Sequence, residues 1–108
     1  MAETIQSILN QIVEILVKEY QPEKIILFGS YAYGQPDEAS DIDLFILKET
    51  EKSFPKRWAE VCELLAEVLG TTPFSPLVIT PGELEERREV GDQFFGEIMT
   101  RGEVLYAR

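Results

Sequence analysis

The sequence contains no histidine and only one cysteine, Cys62, among its 108 residues. The absence of histidine excludes Ser-His-Asp and Cys-His catalytic groups, an imidazole general base and histidine-ligated zinc. A single cysteine excludes an internal disulfide and a Cys-x-x-Cys metal knuckle, and it is typical of a protein kept in a reducing compartment. Any chemistry performed by this chain must therefore depend on other side chains.

Long apolar segments and a surplus of basic residues are also missing. The longest apolar stretches are four residues long, as at 25–28 and 44–47, whereas a bilayer-spanning helix needs roughly 20. The first residues do not resemble a signal peptide, so we expect a soluble cytoplasmic protein with no membrane association. Twenty Asp and Glu against ten Lys and Arg give a formal net charge of −10. That excess of acids argues against direct nucleic-acid binding, which requires clustered basic side chains.

Helix and strand patterns alternate along one expected domain, residues 1–108. Helices are predicted at residues 5–20, 53–69, 81–88 and 92–101, a helical turn at 31–33, and strands at 24–28, 41–47, 74–79 and 104–106. The short connection between the first two strands favours antiparallel pairing, and Pro76 indicates an edge strand or a bulge. Thr80 and Glu83 have the spacing of a capping box. The predicted fold is α/β (α+β), with a small mixed β-sheet flanked by helices.

Two acidic residues at the start of the second strand are the strongest candidates for a functional role. Asp41 and Asp43 are two residues apart, so their carboxylates lie on the same face of the strand. Close carboxylates repel each other unless a proton is shared or a cation binds between them. Mg²⁺ prefers oxygen ligands and often binds one or two carboxylates together with substrate phosphates.

The first strand ends in Gly29 and Ser30, ten residues before Asp41. A glycine allows a phosphate to approach the backbone, and the serine and the following amides can donate hydrogen bonds to it. A phosphate-binding turn that faces a metal-binding carboxylate pair is the arrangement required for nucleotidyl transfer.

The full pattern, an apolar residue before Gly29-Ser30, a ten-residue gap and then Asp41-x-Asp43-x with apolar neighbours, resembles the DNA polymerase beta-like nucleotidyltransferases. Residues 27–34, 40–44 and 102–106 are similar to the small "minimal nucleotidyltransferase" proteins of that superfamily. The resemblance implies that Gly29 and Ser30 bind the triphosphate and that Asp41 and Asp43 hold Mg²⁺ ions. It further implies transfer of a nucleoside monophosphate, AMP from ATP, to an acceptor hydroxyl.

One feature departs from the family pattern. The family usually supplies a third carboxylate from the strand that corresponds to residues 74–79, where this sequence has no acid and Ser75 takes the expected position. Loss of that oxygen ligand should weaken metal binding and catalysis more than nucleotide binding. Asp37 or Glu38 is an alternative source of the third carboxylate, although a solvated turn is the simpler interpretation of both.

The resemblance also suggests a partner. Minimal nucleotidyltransferases are typically paired with a small helical HEPN-domain protein, which implies an antitoxin that acts by AMP transfer to a tyrosine or by binding. A second copy of the chain, in a homodimer, could also supply the acceptor site. The competing hypothesis is a catalytically impaired module that binds nucleotide or partner and neutralises a toxin by contact alone.

Other conspicuous residues have structural interpretations. Trp58 and the pair Phe94-Phe95 are expected to serve packing rather than to stack on a ligand. The charged run at residues 83–89 has helical ion-pair spacing and is interpreted as a solvated helix face.

Overall fold

The computed structural model describes residues 4–34, 36 and 40–108. The helices are α1 (Ile5–Ile15, continued by the π-helical turn Leu16–Tyr20), α2 (Ser30–Tyr33), α3 (Phe54–Leu69), α4 (Pro81–Glu89) and α5 (Gln93–Arg101). The strands are β1 (Lys24–Phe28), β2 (Ile42–Leu47), β3 (Phe74–Ile79) and β4 (Glu103–Ala107). Each predicted element is present, and β2 begins one residue later than predicted. Within these residues, the helices are too short or too polar to cross a membrane.

The four strands form one mixed sheet in the order β3-β2-β1-β4. The predicted antiparallel pairing of β1 with β2 is confirmed, β4 is antiparallel to β1, and β3 is parallel to β2. Pro76 lies in β3, which is an edge strand. The prediction of an edge position is therefore confirmed. An edge strand tolerates proline, which in a central strand would remove a hydrogen bond from the ladder.

Both faces of the sheet are covered by helices. The larger core lies between the sheet, α1 and α3, and includes Ile12, Leu16, Ile25, Leu27, Ile42, Leu44, Val61 and Leu65. The smaller core lies against α5 and consists of Ile26, Phe45, Ile79, Phe95 and Ile98. Full burial of one such side chain contributes about 1.5–3 kcal/mol to stability. Successive side chains of β2 point to opposite faces of the sheet, so Asp43 lies on the same face as Phe45, toward α5.

Two aromatic side chains are more exposed than the sequence predicts. Trp58 is 53% exposed and Phe94 is 52% exposed, whereas Phe95 is buried as expected. Phe94 nevertheless packs edge-on against Phe28 and Phe95, so its predicted packing role is confirmed. Trp58 lies outward because the neighbouring position in its helix takes the inward place. In α3 that position is occupied by Arg57, which is 6% exposed.

The sheet topology brings three strand ends together. Because β1 and β2 are antiparallel, the end of β1 lies beside the start of β2, and Phe28 pairs with Asp43. Because β2 and β3 are parallel, their starts are adjacent, and Asp43 pairs with Ser75. The residues singled out in the sequence therefore meet at one end of the sheet, where β1 ends and β2 and β3 begin.

Candidate active site

The turn after β1 is pressed against Asp43. Gly29 has φ 74° and ψ −158°, a region of backbone conformation that is essentially restricted to glycine. A Cβ atom built on Gly29 would lie 2.2 Å from Asp43 Oδ2, so any side chain there would displace the Asp43 carboxylate. Ser30 follows as the first residue of α2, and the amides of Ala32 and Tyr33 donate to the Gly29 carbonyl. The glycine-serine turn and the acidic strand therefore form one site.

Ser75 connects the two acids of the site. Its hydroxyl donates a hydrogen bond to Asp41 Oδ2 at 2.8 Å, and its backbone is in register with Asp43 on the neighbouring strand. The position interpreted from the sequence as that of the missing third acid thus faces the pair. A serine there orients Asp41 but adds no negative charge.

The electrostatics of the acidic pair are unfavourable in the protein alone. Burial raises the pKa of Asp43 above its ordinary value, and the nearby Asp41 carboxylate raises that pKa further. None of the ion pairs formed by the described residues includes either acid. A bound cation would relieve both the burial of charge and the repulsion between the carboxylates.

The donors present at the site suit a hard metal ion. Asp41 and Asp43 offer carboxylate oxygens and Ser75 a hydroxyl, which are ligand types that Mg²⁺ accepts. No cluster of three or more His, Cys, Asp or Glu with metal-binding geometry occurs in the part of the chain that the structure describes. The described residues by themselves therefore offer an incomplete set of ligands. Asp37 and Glu38 lie outside the described residues, and the suggestion that one of them completes the set stays a prediction.

A basic side chain beside the turn has no counterpart in the sequence predictions. The guanidinium of Arg101, at the end of α5, stacks over the ring of Tyr33 with its Cζ atom 4.1 Å from the ring centroid. Tyr33 is the last residue of α2. Nothing in the local pattern around residue 101 indicates this contact, because it depends on how α5 crosses the sheet.

The model of the "Polymerase beta, Nucleotidyltransferase" family matches residues 10–108 of this chain. The chain belongs to this family. The resemblance proposed from the glycine-serine turn and the paired aspartates is thereby confirmed, and the protein is a nucleotidyltransferase of the minimal, polymerase beta-like type. Its mixed sheet flanked by helices is the fold expected for that family.

Two curated relatives come from Methanocaldococcus jannaschii, and each is named "Putative protein adenylyltransferase". One is 38% identical over 68 residues, which span 61% of this chain and 67% of the relative. The other is 29% identical over 100 residues, which span 91% of this chain and 94% of the relative.

A solved structure with a similar fold is a mutant of the MntA-HpeT toxin–antitoxin complex. It superposes with a TM-score of 0.63 at 22% sequence identity, covering 92% of this chain and 73% of the matched chain. At this identity the likeness establishes the fold.

Proposed function

We propose that this nucleotidyltransferase moves AMP from ATP to a hydroxyl group on a protein partner. The observation that carries the proposal is the 2.2 Å separation between a Cβ built on Gly29 and Asp43 Oδ2. The turn therefore contacts the Asp43 carboxylate directly, which supports a phosphate site beside the acidic pair. The names of the curated relatives support adenylyl transfer to protein as the reaction.

Each site residue has a specific role in this reaction. The Ser30 hydroxyl and the first amides of α2, which precede those bonded to the Gly29 carbonyl, donate hydrogen bonds to phosphate oxygens, and Gly29 leaves room for them. Asp41 and Asp43 would hold Mg²⁺, which would neutralise charge on the triphosphate and on the transferred phosphoryl group. Ser75 fixes the orientation of Asp41 through its hydrogen bond.

The transfer exchanges one phosphorus–oxygen bond for another. The acceptor oxygen bonds to the α-phosphorus as the bond from that phosphorus to the bridging oxygen breaks, and pyrophosphate leaves. The proton of the acceptor hydroxyl passes to solvent. Because Ser75 cannot supply a third carboxylate to help remove that proton, we expect slow transfer.

The proposed acceptor lies on a HEPN-type toxin. Three observations support a protein partner: the relatives are named as protein adenylyltransferases, a structural neighbour is part of a toxin–antitoxin complex, and the net charge is −10. A strongly acidic surface favours a basic protein over a nucleic acid. A second copy of this chain is the other candidate acceptor.

Transfer of labelled AMP tests the proposal. The protein is incubated with Mg²⁺, ATP labelled in the α-phosphate and a HEPN-type protein, and the label on protein is counted. We expect labelling by the wild type and none by the variant that combines Asp41→Asn with Asp43→Asn. The matched control combines Glu85→Gln with Glu86→Gln, which removes two exposed acids from α4 and should leave labelling unchanged.

The second candidate function, neutralisation by contact alone, is favoured by the replacement of the third acid by Ser75. The same variants separate the two functions. If the Asp41→Asn, Asp43→Asn variant still inhibits the toxin and the wild type transfers no label, the chain is a binding module and the transferase proposal fails.

A further inference from the structure

Arg101 is held beside the Gly29-Ser30 turn by the way α5 meets the sheet. A Cβ built on Gly102 would lie 2.5 Å from Ile26 Cγ2 and 3.2 Å from the carbonyl oxygen of Leu27, so the end of α5 presses directly on β1. Strand β4 then begins with Glu103 paired to Leu27. Since the two strands are antiparallel, Arg101 and Gly29 each lie two residues beyond that pair at the same end of the sheet.

Two contacts fix the guanidinium without burying it. It stacks on Tyr33 at 4.1 Å, and its Nη1 donates to Glu97 Oε1 at 2.8 Å. Its side chain remains 58% exposed. Tyr33 follows Ser30 by three residues in one helical turn, so the two side chains lie on the same side of α2. The stacked guanidinium therefore lies on the side of α2 that carries Ser30.

A positively charged side chain would offset the negative charges that meet at this site. A nucleoside triphosphate carries several negative charges, and it would bind next to the carboxylates of Asp41 and Asp43 on a chain of net charge −10. An arginine has five N–H donors in a planar fork that matches phosphate oxygens, and stacking on an aromatic ring leaves the edge of the fork free. The exposed ion pair with Glu97 is weak and can be exchanged for phosphate.

We propose that Arg101 binds the polyphosphate of the nucleoside triphosphate, with Tyr33 holding the guanidinium in place. The inference rests on the proposed function, because it takes the Gly29-Ser30 turn as the phosphate site. It assigns a binding role to α5, which otherwise contributes to the site only as packing.

Calorimetric titration with Mg²⁺-ATP and with AMP tests this assignment. We expect Arg101→Gln to raise the dissociation constant for ATP about tenfold or more, as loss of hydrogen bonds to a charged group does, and that for AMP much less. Arg101→Lys keeps the charge but not the fork and should fall between. The control is Arg88→Gln, since Arg88 is also an exposed, ion-paired helical arginine, at 67% exposure. Thermal unfolding verifies that each variant is folded.

The outcomes separate the two proposals. If the wild type binds no ATP in the presence of Mg²⁺, the proposed function fails and the role of Arg101 fails with it. If the wild type binds ATP and Arg101→Gln behaves like Arg88→Gln, only the assignment of Arg101 is overturned. Equal weakening of ATP and AMP binding would also overturn it, because a structural effect would not distinguish the number of phosphates.

Discussion

Charged side chains lie at both ends of the β2–β3 strand pair, and the two ends differ in whether opposite charges are paired. Where both strands begin, Asp41 and Asp43 lie side by side next to Ser75. Where β3 ends, Arg57 of α3 meets Glu83 of α4. The first end brings two negatively charged side chains together. At the second end, an arginine and a glutamate of opposite charge are joined by hydrogen bonds.

At the second end, the protein satisfies its own polar groups. Arg57 is 6% exposed, and its guanidinium donates to the carbonyls of Lys52 and Val78 and to both carboxylate oxygens of Glu83. Glu83 also accepts from the amide of Thr80, whose hydroxyl caps α4 in return. The hydrogen bonds from Arg57 are the largest cause of the lowered pKa of Glu83. This end is built for stability.

At the first end, none of the basic side chains that the structure describes forms an ion pair with the two acids. Burial and the neighbouring Asp41 raise the pKa of Asp43, and Ser75 is the side chain shown to donate to the pair. One end of the sheet thus has opposite charges paired within the protein, and at the other end none of the ion pairs of the described residues includes the two acids. The difference agrees with a stabilising role for the Arg57–Glu83 cluster and with the chemical role proposed for Asp41 and Asp43.

Removing Arg57 should have the largest effect on stability. We expect Arg57→Met to lower the free energy of unfolding by about 2–4 kcal/mol, because it leaves Glu83 and two carbonyls without their donor. Urea denaturation at pH 7 measures the change. The exposed Arg88→Met is the control and should stay within about 0.5 kcal/mol of the wild type. Equal stability of the two variants would contradict the contrast between the ends.

The glycine of the turn provides the next largest effect. Gly29→Ala should cost about 1–3 kcal/mol in backbone strain alone, and its methyl group would displace Asp43. Gly34 also has positive φ, 84°, but open space lies where its Cβ would be. Gly34→Ala should cost roughly 1 kcal/mol and preserve AMP transfer. Labelling by the Gly29→Ala variant at the wild-type rate would argue against a site built on this turn.

Replacing Ser75 sharpens the comparison by increasing the charge at the first end. Without metal, Ser75→Asp should lower the free energy of unfolding by about 1–2 kcal/mol, because a third carboxylate joins the pair. Mg²⁺ should then raise its unfolding temperature more than that of the wild type, and AMP transfer should increase. Ser75→Asn is the uncharged control. An identical response of the two variants to Mg²⁺ would count against the predicted position of the third ligand.

The smallest expected effect is the change with pH in the stability that Glu83 contributes. Since the pKa of Glu83 is lowered from its ordinary value of 4.5, its contribution is fully present above pH 4.5 and is lost as the pH falls through the lower, folded-state pKa. The stability difference between the wild type and Glu83→Gln should therefore shrink between pH 7 and pH 3. Denaturation with urea at both pH values measures it. A difference that grows on acidification would reverse the assigned sign.

Local sequence signals predicted much of this molecule. The capping box of Thr80 and Glu83, the edge position of Pro76 and the shared face of Asp41 and Asp43 follow from short-range rules of spacing and backbone geometry. The interpretation of the charged run as solvated is wrong for Glu83, which pairs with Arg57.

Those short-range rules did not predict contacts between segments that are distant in the sequence. The burial of Arg57 depends on carbonyls and a carboxylate from three different segments, so its helical position alone indicates an exposed residue. The stacking of Arg101 on Tyr33 likewise requires α5 to reach the end of β1. The hydrogen bond from Ser75 to Asp41 depends on the parallel register of β2 and β3.

The most direct test of the contrast between the two ends measures activity and stability in the same variant, Asp43→Asn. Without metal, the substitution removes a partly buried charge and its repulsion from Asp41, so the unfolding temperature should stay the same or rise. Transfer of labelled AMP should fall at least about 100-fold. A variant that loses several degrees of stability and still transfers AMP at the wild-type rate would show that Asp43 serves the fold, and would contradict the assignment of this end to chemistry.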